Sequence, residues 1–108
     1  MGTLTYANAT APIAIEDEVL AHLRAVTLTK LRRNEPFALT VPTGGDQSET
    51  LWIHASIPIR FVVDTAVPLH RPLLARLMQA ASSTGGLDLT DSELSLETEA
   101  QQLHAMSA

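Results

Sequence analysis

The side chains able to do chemistry near neutral pH are few and scattered. The four histidines are His22, His54, His70 and His104. A metal site built on one element wants such ligands three or four residues apart on a helix, or two apart on a strand. None is paired at helical spacing, and each falls in a different expected element. They read as isolated surface or interface histidines, and no metal is expected. The chain has no cysteine, which removes disulfides, thiolate catalysis and every Cys-based zinc or iron–sulfur site. A serine nucleophile would need a strained turn such as Gly-x-Ser-x-Gly. No such motif occurs, and Ser48, Ser56, Ser82 and Ser83 lie in polar or helix-end contexts where hydroxyls cap and turn the chain. The pairs Gly44-Gly45 and Gly85-Gly86 lack the lysine and following helix of a phosphate loop. Glu16, Asp17 and Glu18 suit the positive end of a helix dipole, and Asp46 with Glu49 flanks a loop, so neither set requires acid–base catalysis. No catalytic residue and no cofactor is expected.

Two groups of residues could bind a partner. Lys30-Leu31-Arg32-Arg33, with Arg24 about two turns earlier, is a basic cluster able to contact phosphates. The same charges also complement the C-terminal end of a helix dipole and could pair with Glu35 or with acids downstream. The second group lies in Thr50-Leu51-Trp52-Ile53-His54, where alternation places Trp52 and His54 on one face of a strand and Leu51 and Ile53 on the other. An apolar residue on a solvent face invites a partner. Trp52 and His54 are the candidate interface, covered by a second copy of the chain or by its own acidic tail, ahead of a small-molecule pocket.

These residues must be positioned by one small domain. The chain has 108 residues, 45% of them apolar, enough for a single modest core. Aromatic residues are confined to Tyr6, Phe37, Trp52 and Phe61, so that core must be largely aliphatic. The formal net charge is −5. Residues 1–87 balance seven acids (Glu16, Asp17, Glu18, Glu35, Asp46, Glu49, Asp64) against seven bases (Arg24, Lys30, Arg32, Arg33, Arg60, Arg71, Arg76). Residues 88–108 hold Asp88, Asp91, Glu93, Glu97 and Glu99 and no base, so the imbalance belongs wholly to this end. No stretch approaches the length of a membrane span, and the start lacks a basic run followed by an apolar segment, so a cytoplasmic chain without signal peptide is expected.

Hydrophobic spacing orders the elements. Thr3-Leu4-Thr5-Tyr6 and Ile13-Ala14-Ile15 read as a hairpin turned at Asn8-Ala9-Thr10. Residues 16–33 read as a helix, with Leu20, Leu23, Thr27 and Leu31 on its apolar face. Asp17 is the expected N-cap, Asn34 the expected C-terminal cap, and Pro36 stops it. Phe37 to Val41 is a strand, Pro42 to Ser48 a loop, Thr50 to His54 a strand, and Ile57 to Val63 another, with Pro58 at its start or on an edge. Residues 71–83 form a second helix with Pro72 in its first turn, ended by Gly85-Gly86. Leu87-Asp88-Leu89 is a last short strand. The fold class is α+β in the order β-β-α-β-β-β-α-(β), with two helices packed on one face of a small, mostly antiparallel sheet. Residues 1–90 form the single domain. Residues 91–108 form an acidic C-terminal tail, disordered or a short helix, in which Thr90 with Glu93 fits a capping box.

Several segments together resemble a known family. They are Met1-Gly2-Thr3-Leu4-Thr5-Tyr6, the helix end Lys30-Leu31-Arg32-Arg33-Asn34-Glu35-Pro36-Phe37, the strand Leu51-Trp52-Ile53-His54-Ala55-Ser56-Ile57-Pro58, and Ala80-Ala81-Ser82-Ser83-Thr84-Gly85-Gly86-Leu87. They are similar to an uncharacterised family of small actinobacterial proteins often labelled "ATP-dependent DNA ligase". That label implies an adenylated lysine in a Lys-x-Asp-Gly motif. The chain's single lysine, Lys30, is followed by Leu31-Arg32-Arg33, so the motif is absent and no catalytic residue carries over. The expected function is a non-enzymatic interaction module, a homodimer using Trp52 and His54. The alternative is a nucleic-acid-associated accessory protein in a repair or ligation context, using Arg24, Lys30, Arg32 and Arg33.

Overall fold

The apolar stripe that begins at Val19 organises the structure. A computed structural model describes residues 1–7 and 11–91. Strand β1 (Gly2–Tyr6) and strand β2 (Ile13–Ile15) precede helix α1 (Asp17–Arg32). Strands β3 (Phe37–Gly44), β4 (Gln47–Ile53) and β5 (Ile59–Val62) follow, then helix α2 (Arg71–Ala81) and strand β6 (Leu87–Asp88). The order is the expected one. The expected turn at Asn8-Ala9-Thr10 and the expected tail lie outside the described residues, except for Asp91.

The strands divide into two three-stranded sheets, β2-β1-β5 and β4-β3-β6. Every pairing is antiparallel except β3 with β6, where Leu39 lies opposite Leu87 and Thr40 opposite Asp88. α1 packs against β1, α2 against β3 and β6, and the helices pack on each other. The inner faces supply Leu4 and Ile15 from one sheet and Phe37, Leu39, Val41 and Ile53 from the other. They meet Leu20, Leu23 and Val26 of α1 and Leu73 and Leu77 of α2 in one core.

The ends of α1 obey different rules. Asp17 is not the N-cap: Glu16 occupies that position and makes no side-chain capping bond. The Asp17 carboxylate instead lies 3.4 Å from the Met1 amino group. The C-terminal end follows the Schellman pattern. Asn34 adopts a left-handed φ of 58°, its N–H donates to the Leu31 carbonyl at 3.0 Å, and the Glu35 N–H donates to the Lys30 carbonyl at 2.9 Å.

Two expected boundaries move. Pro42 to Ser48 is not an open loop, because pairing continues through Pro42–Ser48 and Gly44–Gln47 with a bulge between them. The hairpin turns at Gly45-Asp46, where Gly45 has φ of 59°. Pro42 is tolerated because it sits beside this irregularity near the hairpin tip. Helix α2 ends at Ala81, ahead of the double glycine. The Ser82 N–H reaches back to Met78 and Gln79, and the Ser83 N–H to Ala80. Gly86 serves a different purpose: with φ of 76°, it lets the chain pass so close to Ala38 that a Cβ would fall 2.6 Å from the Ala38 carbonyl oxygen.

Candidate interaction surface

Folding brings two of the four histidines together. His22 is fully buried on α1. Its Nδ1 lies 2.6 Å from the Glu18 carbonyl oxygen, and its Nε2 accepts the backbone N–H of His70 at 2.8 Å. A carbonyl only accepts and an amide N–H only donates, so these partners assign a neutral ring with its proton on Nδ1. His70, the N-cap residue of α2, stacks on it with centroids 5.9 Å apart and planes 13° apart. The His70 Nε2 is 3.6 Å from a Glu18 carboxylate oxygen. With both nitrogens engaged, His22 has no lone pair left for a cation. Its position is that of a side chain fixing the start of α2. Among the described residues no group of three His, Cys, Asp or Glu side chains could hold a metal ion.

His54 closes the turn between β4 and β5. Its Nδ1 accepts the Ser56 N–H at 3.1 Å and lies 2.8 Å from the Ser56 Oγ. The ring is half-buried, and its Nδ1 is directed into that turn. His104 lies outside the described residues.

One member of the basic cluster is withdrawn from the surface. Lys30 is 5% exposed, and its ammonium lies 3.1 Å from the Glu35 carboxylate and 3.3 Å from the Ser82 Oγ. The charge clamps the end of α1 to the end of α2 and is not presented to a polyanion. Arg24, Arg32 and Arg33 are exposed. Arg24 and Arg32 lie eight helical positions apart, about 12 Å along the axis.

The strand alternation around Trp52 holds. Ile53 is buried and Leu51 half-buried, whereas Trp52 is 56% exposed. Cross-strand pairing places Trp52 opposite Ala38 and Thr50 opposite Thr40 on the outer face of the β4-β3-β6 sheet. The two threonine hydroxyls lie 2.9 Å apart. The indole therefore stands on a firm platform among small and hydroxyl-bearing neighbours. Among the described residues β4 pairs with β3 alone, so its other side is an edge of that sheet.

Tyr6 supplies a support that sequence reasoning missed. Its hydroxyl donates to the Trp52 carbonyl, tying β1 of one sheet to β4 of the other. Its place as the chain's single tyrosine, at the end of an apolar strand, was the available signal. Burial pushes the Tyr6 phenol above its ordinary pKa, and a bond from the His54 backbone offsets part of that rise. Because the folded value is raised, its contribution is complete below about pH 10 and is lost as pH climbs through the raised value. Thermal melts from neutral to about pH 11 should show a steeper alkaline fall for the parent than for Tyr6→Phe. Equal slopes would separate this phenol from the alkaline response.

Around Glu16, Asp17, Glu18 and Asp64 runs a shallow acidic depression at the start of α1. The Met1 amino group and His70 face two of its four carboxylates, those of Asp17 and Glu18. No helix among the described residues is long and apolar enough to cross a membrane. A family profile described as Domain of unknown function (DUF7882) matches residues 1–92. No curated protein and no solved structure matches the chain.

Proposed function

The chain belongs to this family of domains of unknown function, and from the geometry of its own surface we propose that it is a non-enzymatic interaction module that self-associates through the outer face and free edge of the β4-β3-β6 sheet. The observation that carries this reading is Trp52. A large apolar ring is held 56% exposed on a strand fixed on one side by β3 and at its backbone by Tyr6. Tryptophan in such a position is the residue type that most often anchors an interface. Ala38, Thr40 and Thr50 beside it leave room for a facing copy. A two-fold arrangement would set the same patch against itself, closing the contact so that this patch cannot propagate into a chain of copies.

The test is solution mass. Light scattering at high micromolar concentration should give a discrete dimer. Trp52→Glu should weaken it at least about 30-fold while leaving the far-ultraviolet circular dichroism unchanged. A strict monomer at that concentration would overturn the reading.

A further inference from the structure

Helix α1 and the chain segment leaving β5 do not close on each other. Ala21 and Ala25, one turn apart on α1, carry side chains too short to fill the gap. They face Phe61, Val63, Val67 and Leu69 across a groove of about 450 Å³, within the range of small-molecule sites. Leu69 is 51% exposed at its mouth, an apolar wall with nothing over it among the described residues. Two opposite charges border this apolar floor, Arg24 from the helix and Asp64 from the segment after β5. They do not neutralise each other: no ion pair within 4.0 Å joins them, and the Arg24 guanidinium has no hydrogen-bond or ion-pair partner among the described residues. Asp64 turns one carboxylate oxygen to the Ala66 N–H at 2.9 Å, which fixes the group and leaves the second oxygen.

The geometry points to a binding site for a small zwitterion with an apolar body, the chemistry of an apolar amino acid. The carboxylate pairs with the Arg24 guanidinium and the ammonium with Asp64. The side chain lies on Phe61, Val63 and Leu69, covering the exposed apolar wall. A simple anion would meet Asp64, and a simple cation would meet Arg24. A ligand carrying both charges satisfies both groups. The groove is built from α1 and the 61–69 segment, away from the Trp52 face, so the site stands or falls separately from self-association.

The probe is L-phenylalanine, followed by amide chemical shifts of the full chain at millimolar concentration. Shifts should cluster at Ala21, Ala25, Phe61 and Leu69. Phenylpropionate, which lacks the ammonium, and phenethylamine, which lacks the carboxylate, should each bind at least about tenfold more weakly. Arg24→Gln and Asp64→Asn should each weaken phenylalanine by a similar factor. Both side chains are exposed, and asparagine can still accept the Ala66 N–H, so both variants should fold. Their oligomeric state should match the parent's. Absence of groove shifts, equal binding of either single-charge analogue, or unchanged affinity in both variants would overturn the site.

Discussion

Gly86→Ala should destabilise the domain by about 2–4 kcal/mol, combining left-handed backbone strain with a steric clash. A Cβ at this position would lie 2.6 Å from the Ala38 carbonyl oxygen and 2.8 Å from the Ala38 Cβ. The first contact is with backbone inside a sheet, so a rotamer change cannot relieve it. Either β6 must withdraw from β3, breaking the Leu39–Leu87 register, or β3 must shift beneath Trp52. Gly45→Ala is the internal comparison. Gly45 also has a left-handed φ, 59°, but nothing lies within 4 Å of its added Cβ. That variant should lose about 1 kcal/mol, the strain alone. Urea denaturation of the pair separates the terms. Equal midpoints would show that the approach to Ala38 costs nothing.

The second large effect belongs to His22. His22→Ala should cost about 3 kcal/mol, because it leaves a buried cavity and strips the His70 N–H of its acceptor. The loss should be felt first at the start of α2, as faster amide exchange at His70 and the residues after it. His70→Ala keeps the backbone N–H that His22 accepts. It should cost only about 1 kcal/mol, the stacking contact and a half-exposed pair with Glu18. If the two variants proved equally damaging, the ring–backbone bond would not be what holds the helices in register.

Local signals carried the elements into view. Apolar spacing from Val19 to Val26 marks α1, Asn34 before Pro36 marks its end, and Pro72 marks the first turn of α2. The alternation around Trp52 correctly separates an exposed face from a buried one. What stayed hidden depends on partners far away in sequence. Nothing near Tyr6 says that it pairs with Ile59, so the division into two sheets is not written locally. Lys30 looks like a surface base beside Arg32 and Arg33. Its burial follows from Ser82, 52 residues away, and from a Schellman turn that swings Glu35 back toward it. His22 and His70 are 48 residues apart, and only the docking of the two helices makes them neighbours. Asp17 misled for a local reason: the helix begins one residue earlier than a cap at Asp17 requires, with Glu16 at the boundary.

The β1–β5 pairing also constrains how the chain can fold as it leaves the ribosome. Thr3 must find Val62, and Tyr6 must find Ile59, so the first sheet waits until the middle of the chain has been synthesised. The β1–β2 hairpin made earliest has too little partner surface to persist alone. The β3–β4 hairpin needs only its own neighbourhood. It becomes a full sheet when Leu87 arrives, after α2. A chain halted before residue 59 therefore holds α1 with its apolar face uncovered by either completed sheet. Of these elements β1 comes first in the chain, yet its pairing is complete only when β5 has been made.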